Sequence, residues 1–238
     1  MYGNEREVGS AIKSFLSKNP SIKREDIFYT TKLASNAGYN RSLKALEQSL
    51  ERCGLDYIDL ILIHSPYGGS QARKESWNAL LEAQKQGWTR SIGVSNYGVK
   101  HLQELLGQGQ KPVINQVDLH PFMTRTDIVE FCKKHDIVLE VYYPWVILMK
   151  AYAPLTKGYR IKHPPLLEIA KKYNKSAAQV LIRWGLQHGY VEIPKSSKRQ
   201  RIEENTQVWD FEIAEGDMKA LDDMDEYLVT GISRYCRP

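Results

Sequence analysis

Residues 57–64 read YIDLILIH, a short stretch in which nearly every residue is apolar. An almost continuous apolar run of this length is typical of a β-strand that is buried on both faces, as in a parallel sheet. Other β-branched and aromatic stretches of similar length occur along the chain. We predict these further strands: IFYTTKL (27–33), TRSIGVS (89–95), VINQVDL (113–119), IVLE (137–140) and YVEIP (190–194).

Amphipathic segments lie between these strands, and several of them end in Gly, which commonly terminates a helix. Ser176 and Gln179 have the spacing of a capping box at the start of one such segment. We predict helices over about Glu5 to Asn19 and over SLKALEQSLERCG (42–54), ESWNALLEAQKQG (75–87), VKHLQELLGQG (99–109), TDIVEFCKKHD (126–136), PLLEIAKKYN (165–174) and SAAQVLIRWGLQHG (176–189).

This alternation predicts right-handed βαβ units and a parallel sheet in a single domain spanning residues 1–238. The two competing architectures are a doubly wound open sheet and a (β/α)8 barrel. A dinucleotide-binding open sheet would carry GxGxxG directly after its first strand. The nearest candidate, LLGQGQKP (105–112), follows a helix and precedes a strand, so we interpret it as a turn and favour the barrel.

A (β/α)8 barrel has eight strands, whereas the sequence predicts six. The residues before the first predicted strand form one helix, and MYGNE (1–5) is interpreted as the loop that precedes this helix. We therefore expect a TIM barrel that lacks its first strand–helix unit and most of its second strand. We expect a monomer. Because open sheet edges favour pairing with another chain, we also expect some self-association through them.

Composition excludes several classes of protein. The formal net charge of +5 is modest and spread along the chain, so we expect no nucleic-acid binding. Cys53, Cys132 and Cys236 are far apart and odd in number, which indicates a reducing compartment, the cytoplasm. The longest uncharged apolar run, residues 141–149, is too short to span a bilayer, and we expect no membrane association.

Chemistry in such barrels gathers where the strands end at their carboxyl side. A Tyr, a Lys and a His from three successive units would meet there, and together they suit the reduction of a carbonyl group. A neighbouring Lys⁺ lowers the pKa of a Tyr hydroxyl, and a His can donate a hydrogen bond to the carbonyl oxygen. The strand-end residues are Tyr2, Lys32, His64, Ser95, Asn96 and Gln116.

Each residue of the triad also has a structural interpretation. Tyr2 alone is consistent with a frayed terminal aromatic residue, and Lys32 alone with a strand end facing water. His64 lies in an apolar run, where a histidine is more often a hydrogen-bonded core residue. The joint placement of the three on one rim favours the chemical interpretation.

A basic cluster, VEIPKSSKRQRIEEN (191–205), follows the last predicted strand. Its cationic side chains surround a turn that enters a helix, where backbone N–H groups and the helix dipole favour an anion. The position matches the phosphate site found after the last strands of many barrels. The alternative is a solvated basic helix start without a ligand.

These motifs resemble the aldo-keto reductase family over essentially the whole chain. The matching stretches occur in family order: YGNEREVG (2–9), YTTKL (29–33), DYIDLILIH (56–64), GWTRSIGVSNY (87–97), VINQVDLHP (113–121), AYAPL (151–155) and IPKSSKRQRIEEN (193–205). The resemblance implies NADPH-dependent reduction of a small aldehyde or ketone to an alcohol, with no metal. Tyr2 would be the proton donor, Lys32 the partner that lowers its pKa, and His64 the residue that orients the carbonyl.

The resemblance also implies a set of cofactor contacts. Ser95, Asn96 and Gln116 would hold the carboxamide, and Tyr152 in the stretch Tyr152-Ala153-Pro154-Leu155 would stack on the nicotinamide. The basic cluster favours NADPH over NADH, because a 2′-phosphate needs counter-charge. The residues implied near the adenosine 2′-phosphate and the adenine are Lys195, Ser196, Ser197, Arg201, Glu204 and Asn205.

Two departures from the family pattern leave a second hypothesis open. The family has an Asp a few residues before the Tyr, whereas here Met1 directly precedes Tyr2. A short insertion, VYYPWVILMK (141–150), precedes AYAPL and either extends the strand or displaces Tyr152, with Tyr142 and Tyr143 as rival stacking residues. The alternative function is a catalytically impaired relative that binds nucleotide or a protein partner.

Overall fold

The structure is a computed structural model that describes residues 3–143 and 160–228. The chain divides into two compact units, Met1–Ile114 and Asn115–Pro238, and each is described by itself.

The first unit alternates strands and helices as the sequence predicts. Parallel pairing joins its three strands in chain order, with Lys32 opposite Leu62 and Ile63 opposite Val94. The elements are α1 (Glu5–Lys18), a 3-10 turn (Arg24–Asp26), β1 (Thr30–Leu33), α2 (Tyr39–Cys53), β2 (Ile58–Ile63), α3 (Gly69–Lys85), β3 (Thr89–Ser95) and α4 (Val99–Leu106).

The central strand β2 is buried along its whole length, which explains its nearly continuous apolar sequence. Leu60 and Leu62 pack with Ile114 in the core of this unit. Gly93 on β3 allows this close packing, because a Cβ atom there would lie 2.6 Å from Cγ2 of Ile114. Alternating core contacts of this kind fix the register of the strands and so the positions of their ends.

Helix α1 is fixed to its neighbours at its first residue and in its middle. The Glu5 carboxylate accepts hydrogen bonds from Thr31 Oγ1 at 2.8 Å and from Arg52 Nε at 2.7 Å. Partial burial alone would raise the pKa of Glu5, but these hydrogen bonds outweigh it and the pKa is lowered. Gly9 brings α1 against α2, since a Cβ atom there would lie 1.8 Å from the Cys53 carbonyl oxygen.

A buried ion pair holds the amino-terminal end of β2. The Asp59 carboxylate accepts hydrogen bonds from Arg24 Nη2 at 2.7 Å and from the Tyr29 backbone N–H at 2.9 Å. The guanidinium groups of Arg24 and Arg90 both lie over the Tyr57 ring, at 4.2 and 3.9 Å from its centroid. These contacts lie at the end of the strand opposite to His64 and stabilise the sheet rather than the site.

The second unit continues the alternation. Strands β4, β5 and β6 follow one another in the sheet, and β5 pairs with β6 in parallel from Glu140 opposite Val191 to Tyr143 opposite Pro194. The elements are β4 (Ile114–Val117), α5 (Thr126–Lys134), β5 (Val138–Tyr143), α6 (Pro164–Lys172), α7 (Ala177–Gln187), β6 (Val191–Pro194), α8 (Arg199–Thr206) and α9 (Glu215–Asp222).

Most predicted elements are confirmed, including the capping box, in which Ser176 and Gln179 exchange side-chain and backbone hydrogen bonds. Strand β5 runs three residues past its predicted end at Glu140, so the start of the 141–150 stretch extends the strand. Residues 144–150 lie outside the described ranges. Helices α2 and α3 begin before their predicted starts, and α9 was not predicted, because polar first turns carry little apolar periodicity.

The architecture observed is α/β with parallel strands. Among the helices of the described ranges, none is long and apolar enough to cross a membrane. The residues in those ranges also contain no group of three His, Cys, Asp or Glu side chains placed to hold a metal ion.

We predict that Asp59→Asn lowers the free energy of unfolding by about 3 kcal/mol, because it leaves the Arg24 guanidinium partly buried without its counter-charge. Urea denaturation measures the change. Glu25→Gln is the control, because its pair with Lys23 is exposed at 3.6 Å, and it should change stability by less than about 0.5 kcal/mol. Equal effects of the two substitutions would contradict the assignment.

Candidate active site

In the first unit, Lys32, His64 and Ser95 share one face of the sheet at the carboxyl ends of its three strands. Lys32 lies opposite Leu62, and His64 is two residues beyond Leu62 along the chain. Ile63 lies opposite Val94, so the next residues, His64 and Ser95, come at equivalent positions. Because side chains alternate between faces with a period of two, all three project to the same side.

The backbone of His64 is fixed on both sides. Its N–H donates to the Leu33 carbonyl at 3.0 Å, and its carbonyl accepts from Asn96 Nδ2 at 2.9 Å. Only 8% of the residue is exposed. Burial, together with the positive charge of Lys32, lowers the pKa of His64 to about 4. The imidazole is therefore neutral at pH 7, with one N–H available as a hydrogen-bond donor.

Ser95 ends β3, Asn96 follows it, and both are buried. Asn96 has φ 61°, in the left-handed region that Asn tolerates better than most residues. This turn aims the Asn96 amide at the carbonyl of His64 and at Ser95 Oγ, which is 3.1 Å from Nδ2. The two predicted carboxamide-binding residues thus lie beside the predicted carbonyl-orienting residue.

In the second unit, Gln116 lies on β4 and is buried. Its amide nitrogen donates to Glu140 Oε1, while its own Oε1 is buried with no hydrogen-bond partner within the described ranges. An unpaired buried acceptor fits a ligand that brings a donor, such as a carboxamide NH₂. Sequence reasoning gave Glu140 no role, although a carboxylate in a buried strand is a signal that it has a partner.

The predicted phosphate turn connects β6 to α8. Ser196 Oγ accepts from the Lys198 N–H at 3.1 Å, and Lys198 caps α8 without a side-chain hydrogen bond to the first turn. No acidic residue occupies that turn, while Lys195 and Ser197 are exposed and Arg201 is half-buried. Backbone N–H groups and cationic side chains at a helix start suit an anion.

The other end of α8 is anchored by α7. Gln179 Nε2 donates to the carbonyls of Glu204 at 3.1 Å and Gln207 at 2.9 Å. Asn205 is buried, and its Nδ2 has no hydrogen-bond partner among the residues that the structure describes. A buried amide donor without a partner fits a ligand acceptor, such as a ring nitrogen of adenine.

Five of the predicted site residues lie outside the described ranges: Tyr2, Tyr152, Ala153, Pro154 and Leu155. Their roles stay predictions. Of the others, the structure brings Lys32, His64, Ser95 and Asn96 together in the first unit. In the second unit it places Lys195, Ser196 and Ser197 just before α8, and Arg201, Glu204 and Asn205 on α8. Gln116 lies on β4 of the same unit.

The profile of a known protein family, described as the aldo/keto reductase family, matches residues 1–226. The chain belongs to this family. The proteins similar to it include an uncharacterized oxidoreductase of Saccharomyces cerevisiae, which is 46% identical over 95% of this chain and 79% of that protein. The glyoxal reductase of Bacillus subtilis is 44% identical, over 93% of this chain and 75% of its own length.

Solved structures lead to the same family. An aldo-keto reductase from a Medee basin deep-sea metagenome library has a TM-score of 0.83 and 38% identity, covering 95% of this chain and 79% of its own. An aldo/keto reductase of Brucella melitensis has the same TM-score and identity, and the match covers 94% of this chain and 81% of that protein. The resemblance predicted from sequence motifs is confirmed, and the chain is an oxidoreductase of the aldo/keto reductase fold.

We predict that the pKa of His64, measured from its ring NMR signals, is about 4 and rises in Lys32→Met. Removing a neighbouring cation makes protonation easier, while burial still holds the pKa below its ordinary value near 6.5. His64→Gln assigns the signal, and Lys44→Met, at an exposed position on α2, is the control. A pKa of His64 that did not respond to Lys32→Met would contradict the proposed proximity.

Proposed function

We propose that this aldo/keto reductase reduces the carbonyl group of a small aldehyde or ketone to an alcohol and depends on NADPH. The observation that carries the proposal is the pair of Lys32 and His64, which lie on one face of adjacent strands with the imidazole buried and neutral. An ammonium group that lowers the pKa of a neighbouring proton donor and a neutral N–H donor that polarises the carbonyl are the two groups that carbonyl reduction needs at one rim.

The unpaired polar atoms support a nicotinamide cofactor. In the second unit, Gln116 Oε1 suits a carboxamide NH₂ and Asn205 Nδ2 suits the adenine. In the first unit, Ser95 and Asn96 are the other residues proposed to hold the carboxamide. Lys195, Ser196, Ser197 and Arg201 would hold the 2′-phosphate of NADPH, with Glu204 near the adenine and Tyr152 against the nicotinamide ring. When bound, the cofactor supplies the hydride.

In this proposal Tyr2 donates the proton to the carbonyl oxygen, and Lys32 favours the phenolate that remains. Glu5 supports this role. Its carboxylate accepts a hydrogen bond from Thr31, the residue before Lys32. Tyr2 precedes Glu5 by three positions in the sequence, which a chain spans over at most about 10 Å. His64 donates its N–H to the same oxygen and aligns the carbonyl.

The architecture that we propose is one domain, residues 1–238, whose strands are six of those of a (β/α)8 barrel. Buried Cys53 and Cys132 are free thiols, which supports a cytoplasmic location. A monomer acting on a small molecule is the simplest form consistent with this proposal. The second hypothesis, a nucleotide-binding relative with little turnover, uses the same cofactor residues and differs only in the acid–base step.

We expect Arg201→Leu to raise the Kd of NADPH by about ten-fold or more and to change the Kd of NADH less than two-fold, because only NADPH carries the 2′-phosphate. Titration of intrinsic fluorescence with each nucleotide measures both constants. Arg199→Leu is the matched control, since that guanidinium is exposed and bonded to Glu203 at 2.8 Å. Equal losses for the two nucleotides would refute the 2′-phosphate assignment.

We expect Tyr2→Phe to lower kcat for glyoxal or an aromatic aldehyde by about 100-fold or more without changing the Kd of NADPH, because only the proton donor is removed. Tyr57→Phe, at the opposite end of β2, should retain the full rate. Nucleotide binding without turnover in the unsubstituted protein would favour the second hypothesis. A fully active Tyr2→Phe variant would show that another group donates the proton.

A further inference from the structure

The segment that follows β2 is held in an unusual way. Each of its four successive backbone carbonyls, from His64 to Tyr67, accepts a hydrogen bond from a side chain of another part of the first unit. Loop carbonyls are more often solvated or bonded within their own turn. We call residues 64–67 with their side-chain donors the carbonyl clamp.

Asn36 is the centre of the carbonyl clamp. This residue lies in the loop between β1 and α2, and its Nδ2 donates to the Ser65 carbonyl at 2.9 Å and to the Tyr67 carbonyl at 2.5 Å. It is 9% exposed. One amide therefore ties the loop after Lys32 to the loop after His64, across 29 to 31 residues of sequence.

Arg73 and Asn96 complete the carbonyl clamp. Arg73 Nη1 donates to the Pro66 carbonyl at 2.9 Å, and its Nη2 lies 2.5 Å from Glu104 Oε2 on α4. Ser70 Oγ donates a hydrogen bond to the other carboxylate oxygen, Glu104 Oε1, at 2.8 Å. Asn96 Nδ2 donates a hydrogen bond to the His64 carbonyl at 2.9 Å. Because its donors come from three different parts of the first unit, the segment has little freedom to rotate.

The packing of Asn36 is close as well as polar. Gly68, which follows the segment, has φ 107°, and a Cβ atom there would lie 3.1 Å from the Asn36 carbonyl oxygen. The backbone after His64 is thus pressed against Asn36. A side chain in place of Gly68 would strain the turn and push the two loops apart.

We propose that Asn36 is a positioning residue for His64, acting through the Ser65 and Tyr67 carbonyls to hold the imidazole where it can donate to the substrate carbonyl. The inference rests on the proposed function of His64. Asn36 itself need not touch substrate or cofactor. A displacement of a catalytic donor by about 1 Å can cost up to 100-fold in rate, so the carbonyl clamp has a measurable consequence.

The test uses Asn36→Asp, which keeps the size of the side chain but has no donor, and Asn36→Ala, which removes the amide without adding charge. We expect kcat to fall by about 10- to 100-fold in both, with the Kd of NADPH changed less than two-fold. In Asn36→Ala the pKa of His64, read from its NMR signal, should rise from about 4 towards 6.5 as the loop loosens and water enters.

Asn40→Asp is the matched control, since that asparagine is exposed in the first turn of α2 and should leave both readouts unchanged. Gly68→Ala probes the same contact from the other side and should move the His64 signal even where an Asn36 variant folds poorly. An unchanged kcat and an unchanged pKa of His64 in Asn36→Ala would overturn the proposal. Absence of turnover in the unsubstituted protein would sink the proposed function alone, since the NMR readout still decides whether Asn36 positions His64.

Discussion

The site depends on the parallel register of three neighbouring strands, which brings an ammonium group and a buried imidazole to one rim. Lys32 and His64 are 32 residues apart in sequence, and only the pairing of β1 with β2 makes them neighbours. Burial of His64 and the positive charge of Lys32 lower the pKa of the imidazole and so keep it neutral. A core of branched side chains fixes this register, and Gly93 leaves the space in which Ile114 packs.

Much of this arrangement was predictable from the sequence, because buried parallel strands have a strong signal. The apolar stretch at 57–64 predicted β2. The predicted strands also placed Lys32, His64, Ser95 and Asn96 at or just beyond the carboxyl ends of their strands, as the structure shows. The capping box of α7 followed from two side chains at fixed spacing. The order of motifs also identified the family, and the family profile that matches residues 1–226 confirms it.

Features that depend on contacts between distant segments were missed. Asn36 lies in a loop of small and polar residues with no local pattern, and its role appears only when the loop meets the carbonyls after His64. Glu140 looked like the last residue of a strand, whereas β5 continues to Tyr143 and the carboxylate pairs with Gln116. Side-chain to backbone bonds across 30 residues leave no periodicity in the sequence.

The pairing of Gln116 with Glu140 sets which way round the glutamine amide points. A carboxylate has no hydrogen to offer, so the nitrogen end must face it and the oxygen end must face away. In the proposed cofactor site, this oxygen would favour a nicotinamide, which carries hydrogen on its amide nitrogen, over a nicotinic acid derivative, whose carboxylate oxygens would meet it.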